Sequence, residues 1–118
     1  MTGAMTRLAA RLRRAREEAG LSQGQAAKLM DMHRPTISEI EAGRRRVQAE
    51  ELTRFAKLYH VALPWLMGDE GSEDPREEKA RVAARELMKL KPEDLDRVMN
   101  LLASIRRDEA PAPKGRKR

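Results

Sequence analysis

Four arginines are the side chains best placed to do chemistry in this chain. Arg44, Arg45 and Arg46 follow Gly43 in succession, and Arg34 lies ten positions before the first of them. A guanidinium clasps phosphate oxygens or forks onto guanine O6 and N7, so the chemistry on offer is recognition of a polyanion. Residues that make or break bonds lack company. His33 and His60 stand 27 positions apart with no metal-ligand spacing around either. Cysteine is absent, which removes disulfides and thiolate metal sites. Ser22 and Ser38 have no base nearby in sequence, and no glycine-rich phosphate loop occurs. The expectation is no enzyme, no catalytic residue, no metal and no cofactor.

The charge has a layout that matches. Of 118 residues, 25 are Lys or Arg and 19 Asp or Glu, for a net charge of +6. Residues 1–68 carry net +5, residues 69–109 net −3, and residues 110–118 net +4. A basic first part suggests an anionic partner such as DNA. Only Phe55, Tyr59 and Trp65 are aromatic, too few to stack a single strand base by base. No stretch approaches the roughly 20 apolar residues of a membrane span. The N-terminus has no secretory apolar core, so the expected location is cytoplasmic. The length suits one small domain, or a domain with an appendage.

The elements that must position these side chains read as helices, since β-branched and aromatic residues are scarce. A first helix is predicted from an N-cap at Thr6, after a frayed stretch 1–5. Leu8, Leu12 and Ala15 form its apolar stripe, widened by Ala9 and Ala19, with Arg7, Arg11, Arg13, Arg14 and Arg16 on the other surface and a stop at Gly20. Ser22 with Gln25 predicts a capping box opening a second helix, whose core face is Ala26, Ala27, Leu29 and Met30. A third begins around His33 to Pro35, buries Ile37 and Ile40 and ends at Gly43. A fourth spans Gln48 to Tyr59, and Leu63 to Gly68 is a short fifth. Helices are also predicted over 76–90 and from Pro92 to about Arg107.

Two short helices, a tight turn and a third helix ending at glycine make a helix-turn-helix, which braces one helix for a major groove about 12 Å wide. Residues 7–67 resemble the Xre family of such domains, of the Cro and phage-repressor type. The residues that carry the likeness are Arg13, Glu17, Gly20, Leu21-Ser22-Gln23, Ala26-Ala27, Leu29, Arg34 to Ser38, Ile40-Glu41, Gly43-Arg44, Leu52 and Trp65 to Gly68. Asp31 stands where such turns often carry glycine, and aspartate tolerates positive φ better than most residues. His33 stands where a small capping hydroxyl is common. The resemblance implies a five-helix lambda-repressor-like DNA-binding domain over 1–68, and the helical periodicity beyond it completes an all-α fold with a helical hairpin or extended helical dimerisation segment. It also implies a bacterial or phage-encoded regulator, with double-stranded DNA as partner.

Carried over residue by residue, the candidates for base contact are Arg34, Pro35, Thr36, Ser38 and Glu39. Arg34 suits guanine, Glu39 suits cytosine N4, and Pro35 suits a thymine methyl. Glu39 could instead pair with Arg45 or Arg46. Candidates for phosphate contact are Ser22, Gln23, His33, Arg44, Arg45 and Arg46, with Gln23 at a positive helix end. Glu41 is expected to be structural, pairing with Arg13.

Residues 69–75 read as a linker and 108–118 as a disordered basic tail. Between them, 76–107 offer two amphipathic helices that bury little alone. Leu87, Met88, Leu95, Val98, Met99, Leu102 and Ile105 are the candidates for a dimer or partner interface, with packing on the chain's own domain as the competing expectation. The function expected is a sequence-specific repressor that binds a palindromic operator as a homodimer. The alternative is an antitoxin whose C-terminal helices bind a toxin while the first domain represses the operon.

Overall fold

The computed structural model describes residues 3–68 and 73–109, and among them the regular structure is helical with no strand. Seven helices follow in order: α1 (Gly3–Glu18), α2 (Gln23–Met30), α3 (Arg34–Glu41), α4 (Ala49–Tyr59), α5 (Leu63–Leu66), α6 (Pro75–Leu87) and α7 (Pro92–Glu109). The chain divides into two compact units, Met1–Ala84 and Arg85–Arg118. The all-α class is as expected, and four corrections in detail come first.

The first concerns α1, which starts at Gly3, so residues 3–5 are helical and Thr6 lies inside the helix instead of capping it. The second concerns its basic residues. Arg11 and Arg16 are buried, and only 5% of Arg11 is exposed. Both fall on the side of Leu12 and Ala15, because residues three and four apart share a helix face. The third is Leu29, expected in the core yet 59% exposed. Two turns of α2 bury only the narrow face of Ala26, Ala27 and Met30, and Leu29 projects beside it. The fourth is the partner of Glu41, given below with the site.

The core of the first unit is built from Leu12, Met30, Ile37, Ile40, Phe55, Tyr59, Trp65 and Leu66 with alanines between them. Helix ends obey local chemistry. Ser22 accepts from the Gln25 amide at 3.0 Å and Gln25 accepts from the Ser22 amide at 2.8 Å, which completes the predicted capping box. Asp31 closes α2 at φ 58°, the left-handed conformation anticipated for it. At the start of α4, Glu51 accepts from the Gln48 amide at 3.0 Å. Phe55 and Tyr59 stack with ring centroids 5.7 Å apart.

Two buried charges tie the later part of this unit down. Arg11 donates to the Trp65 carbonyl, lies 4.6 Å over the Trp65 ring and pairs with Glu73 at 2.8 Å. Glu78 of α6 is 1% exposed. It accepts from the Ala62 amide at 2.8 Å, filling an orphan donor at the α5 N-terminus, and pairs with Arg81 at 3.0 Å. In sequence, Glu78 looks like one more solvated acid in a charged helix.

In the second unit, no side chain of α7 through Asp108 is fully buried. Met99, Leu101, Leu102 and Ile105 are exposed, as is Met88 before the helix, while Leu95 and Val98 are half-buried. The tail predicted at 108–118 starts too early, since residues 108 and 109 belong to the last turn of α7; its remainder and most of the predicted linker lie outside the described residues.

Candidate nucleic-acid interface

The interface begins with the turn between α2 and α3. Asp31 and Met32 donate their amides back to the last carbonyls of α2, and the left-handed Asp31 swings the chain so that α3 starts two residues after Met32. His33 caps α3 through its backbone alone, with no side-chain bond, and Pro35 occupies the first turn where its missing N–H is not needed.

Helix periodicity then sorts the side chains of α3. Ile37 and Ile40 are buried. Pro35, Ser38 and Glu39 fall on the opposite side, and Arg34 and Thr36 flank it, one on each edge. Arg34 and Pro35 are exposed, and Thr36, Ser38 and Glu39 half-buried. Arg34 also stands at the start of α2, since a methyl group at Gly24 would lie 3.9 Å from its Cδ. Arg34 therefore neighbours Ser22 and Gln23, bringing candidates of both classes to one edge.

The network beneath fixes this arrangement. Glu41, the last residue of α3, accepts from Arg16 Nε at 2.7 Å and from the second Arg16 nitrogen at 3.0 Å. It also accepts from Gln23 Nε2 at 3.1 Å. Arg16 donates once more, to the Leu21 carbonyl at 2.8 Å. One ion pair thus joins α1, the α1–α2 loop, the first residue of α2 and the end of α3. The Arg16 guanidinium is held above its ordinary pKa by its hydrogen bond to Glu41. Arg13, the expected partner, is exposed and pairs with Glu17 one turn along at 3.2 Å. The Tyr59 hydroxyl is buried with no hydrogen-bond partner among the described residues, and burial, with the Glu41 carboxylate adding to it, pushes its pKa up.

After Gly43, at φ 77°, the three arginines separate into two kinds. Arg44 makes a two-pronged pair with Glu39 at 3.0 and 3.1 Å. Arg45 does the same with Glu51 at 3.1 Å for both prongs. Hydrogen bonds from these arginines hold the Glu39 and Glu51 carboxyls below their ordinary pKa. Glu39 was expected to pair, if at all, with Arg45 or Arg46. It pairs with Arg44, because Arg45 is claimed by the start of α4. Arg46 is exposed and makes no ion pair among the described residues.

The described residues contain no cluster of three or more His, Asp or Glu side chains that could hold a metal. No described helix is long and apolar enough to cross a membrane.

Residues 7–64 match the helix-turn-helix domain family. No curated protein matches the chain. Among solved structures, the chain is similar to a transcriptional regulator from Listeria innocua, at 21% identity and a TM-score of 0.49, over 88% of this chain and 96% of that one. The protein carries a helix-turn-helix domain at its N-terminal end, the architecture that presents one helix to a DNA groove.

Proposed function

We propose that this protein is a sequence-specific transcriptional regulator of the Xre type, a repressor that binds a palindromic operator as a homodimer. The observation that carries the reading is the outward side of α3. Polar and cationic side chains stand there over a buried brace, and the arginine loop follows immediately. Arg34 is assigned to a base edge. Ser38, Thr36 and Pro35 complete the surface against the groove. The unbonded amides at the start of α2, with Ser22 and Gln23, meet a phosphate on one side, and Arg44 and Arg46 meet phosphates on the other. Ser22 keeps a hydroxyl hydrogen to donate, because its oxygen only accepts in the cap. A dimer lying across a promoter excludes polymerase, which makes repression the expected sense of control.

The second copy is assigned to α7. Leu95, Val98, Leu102 and Ile105 repeat at three and four, and about their midpoint the series reads the same way in reverse. An antiparallel pair of α7 helices therefore sets Leu95 against Ile105 and Val98 against Leu102 in every layer, a self-complementary seam of the kind a two-fold dimer requires. Selection of binding sites from random DNA tests the reading. The expected product is an inverted repeat with half-site centres about 10–10.5 base pairs apart, or a multiple. Sedimentation should show a dimer that Leu102→Asp with Ile105→Asp converts to a monomer. Unpatterned selected DNA, or a wild-type monomer at working concentration, overturns it.

Glu39 has a defined place in this scheme. It neutralises Arg44 before DNA arrives, so phosphate must displace or share that pair. Glu39→Gln is expected to strengthen binding to all sequences severalfold and to steepen its salt dependence by about one phosphate equivalent. A changed preference at one base pair, with overall affinity unaltered, would assign Glu39 to cytosine instead.

A further inference from the structure

Behind the arginine loop lies a cavity of about 160 Å³. Its walls are apolar: Met5 and Leu8 of α1, Ile40 of α3, Val47, Leu52 of α4, and Met67. Arg45 and Arg46 also line it, and theirs are the only charged side chains among its lining residues. Arg45 is already paired with Glu51, and Arg46 has no acid partner among the described residues.

We infer that this cavity binds a small anionic ligand with a compact apolar body, an aryl or branched short-chain carboxylate, and that the ligand competes with DNA. Size suits such a body: an enclosed cavity near 150 Å³ lined by aliphatic side chains holds one benzene ring, and this pocket offers similar room with one side open to solvent. Charge sets the head. A carboxylate at the mouth meets the unpaired guanidinium of Arg46 as a two-pronged acceptor. A neutral polar ligand finds no other side chain there to satisfy it. The regulatory half of the inference rests on the proposed function, where Arg46 clamps a phosphate. A ligand carboxylate on Arg46 and a DNA phosphate on Arg46 exclude each other.

The test uses the full chain, phenylacetate as probe and 2-phenylethanol as its neutral counterpart, with sodium acetate controlling for salt. Methionine methyl resonances report occupancy, because Met5 and Met67 line the cavity and Met30 and Met99 do not. Phenylacetate should shift Met5 and Met67 saturably and leave Met30 and Met99 unmoved. 2-Phenylethanol should bind at least tenfold more weakly. Arg46→Gln should bring phenylacetate down to the level of the alcohol. Val47→Phe should abolish both, and if that variant fails to fold, Ala4→Leu at the mouth replaces it. Saturating phenylacetate, but not acetate, should release bound DNA. No saturable shift through the millimolar range, or equal shifts at all four methionines, overturns the site. Binding that leaves DNA affinity unchanged overturns the competition. A chain that takes up phenylacetate at Arg46 yet binds no DNA leaves the ligand site standing and sinks the proposed function instead.

Discussion

Glu41→Ala is expected to destabilise the helix-turn-helix domain by about 3–5 kcal/mol, the range for breaking a buried ion pair from one side. The size follows from burial. Side-chain exposure is 10% for Arg16 and 5% for Glu41, so water cannot replace the lost carboxylate. The variant leaves a guanidinium in the interior with the Leu21 carbonyl as its remaining acceptor, and frees the Gln23 amide as well. For a domain of this length the loss corresponds to a fall in Tm on the order of 15–30 °C, and it removes a large share of the typical 5–15 kcal/mol of total stability. Thermal melts of the full chain followed by circular dichroism give the measurement.

Two companion variants decide what the loss means. Arg13→Ala removes the partner expected for Glu41 from the sequence. Because Arg13 pairs only with the exposed Glu17, the cost should be no more than about 1 kcal/mol. Arg16→Met combined with Glu41→Leu removes both charges together and should recover most of the stability, since apolar replacement of a buried pair is often neutral or favourable. If Glu41→Ala melted within a few degrees of wild type, the pair would be solvated and the brace under α3 would have to be sought elsewhere.

Arg16 and Glu41 also mark how far the sequence could be read. The helices were legible because their signals are local. The Ser22–Gln25 capping box, the left-handed Asp31, and the prolines in the first turns of α3 and α5 each depend on a few neighbouring residues. The outward side of α3 was legible for the same reason, since Ile37 and Ile40 alone fix its rotation. Charge partners were not. Five arginines crowd α1, and periodicity places Arg11 and Arg16 along the apolar stripe, yet charge argued for putting all five in water. Which of them a carboxylate reaches is settled by how α1 crosses α3 and α5, and no spacing within α1 encodes that. The same holds for Glu78, whose partner is a backbone amide sixteen residues earlier. Leu29 erred in the other direction, an apolar side chain on a helix too short to bury more than one face.

Arg34→Ala is expected to cost about 1–3 kcal/mol at the preferred operator, roughly five- to 150-fold in affinity, with nearly all of the loss at one base pair. The assignment rests on three features of its surroundings. Arg34 is the first residue of α3, and the N-terminal residues of a recognition helix are the ones that reach base edges. Its side chain is exposed and makes no ion pair among the described residues, unlike Arg44 and Arg45, which are engaged by Glu39 and Glu51. Its stem passes beside the start of α2, with Cδ 3.9 Å from where a methyl group on Gly24 would lie. Arg34→Lys then separates shape from charge. It keeps the cation and so the sequence-independent affinity, but loses the fork that matches guanine O6 and N7, and selectivity at that position should fall almost as far as in the alanine variant. Arg44→Ala is the contrast: a uniform weakening across all sequences, with the salt slope reduced by about one. Selection from random DNA with each variant distinguishes these outcomes. Unchanged base preference with Arg34→Ala would move direct readout to the Pro35, Ser38 and Glu39 side of the helix, turning α3 by about a quarter of a revolution in the groove.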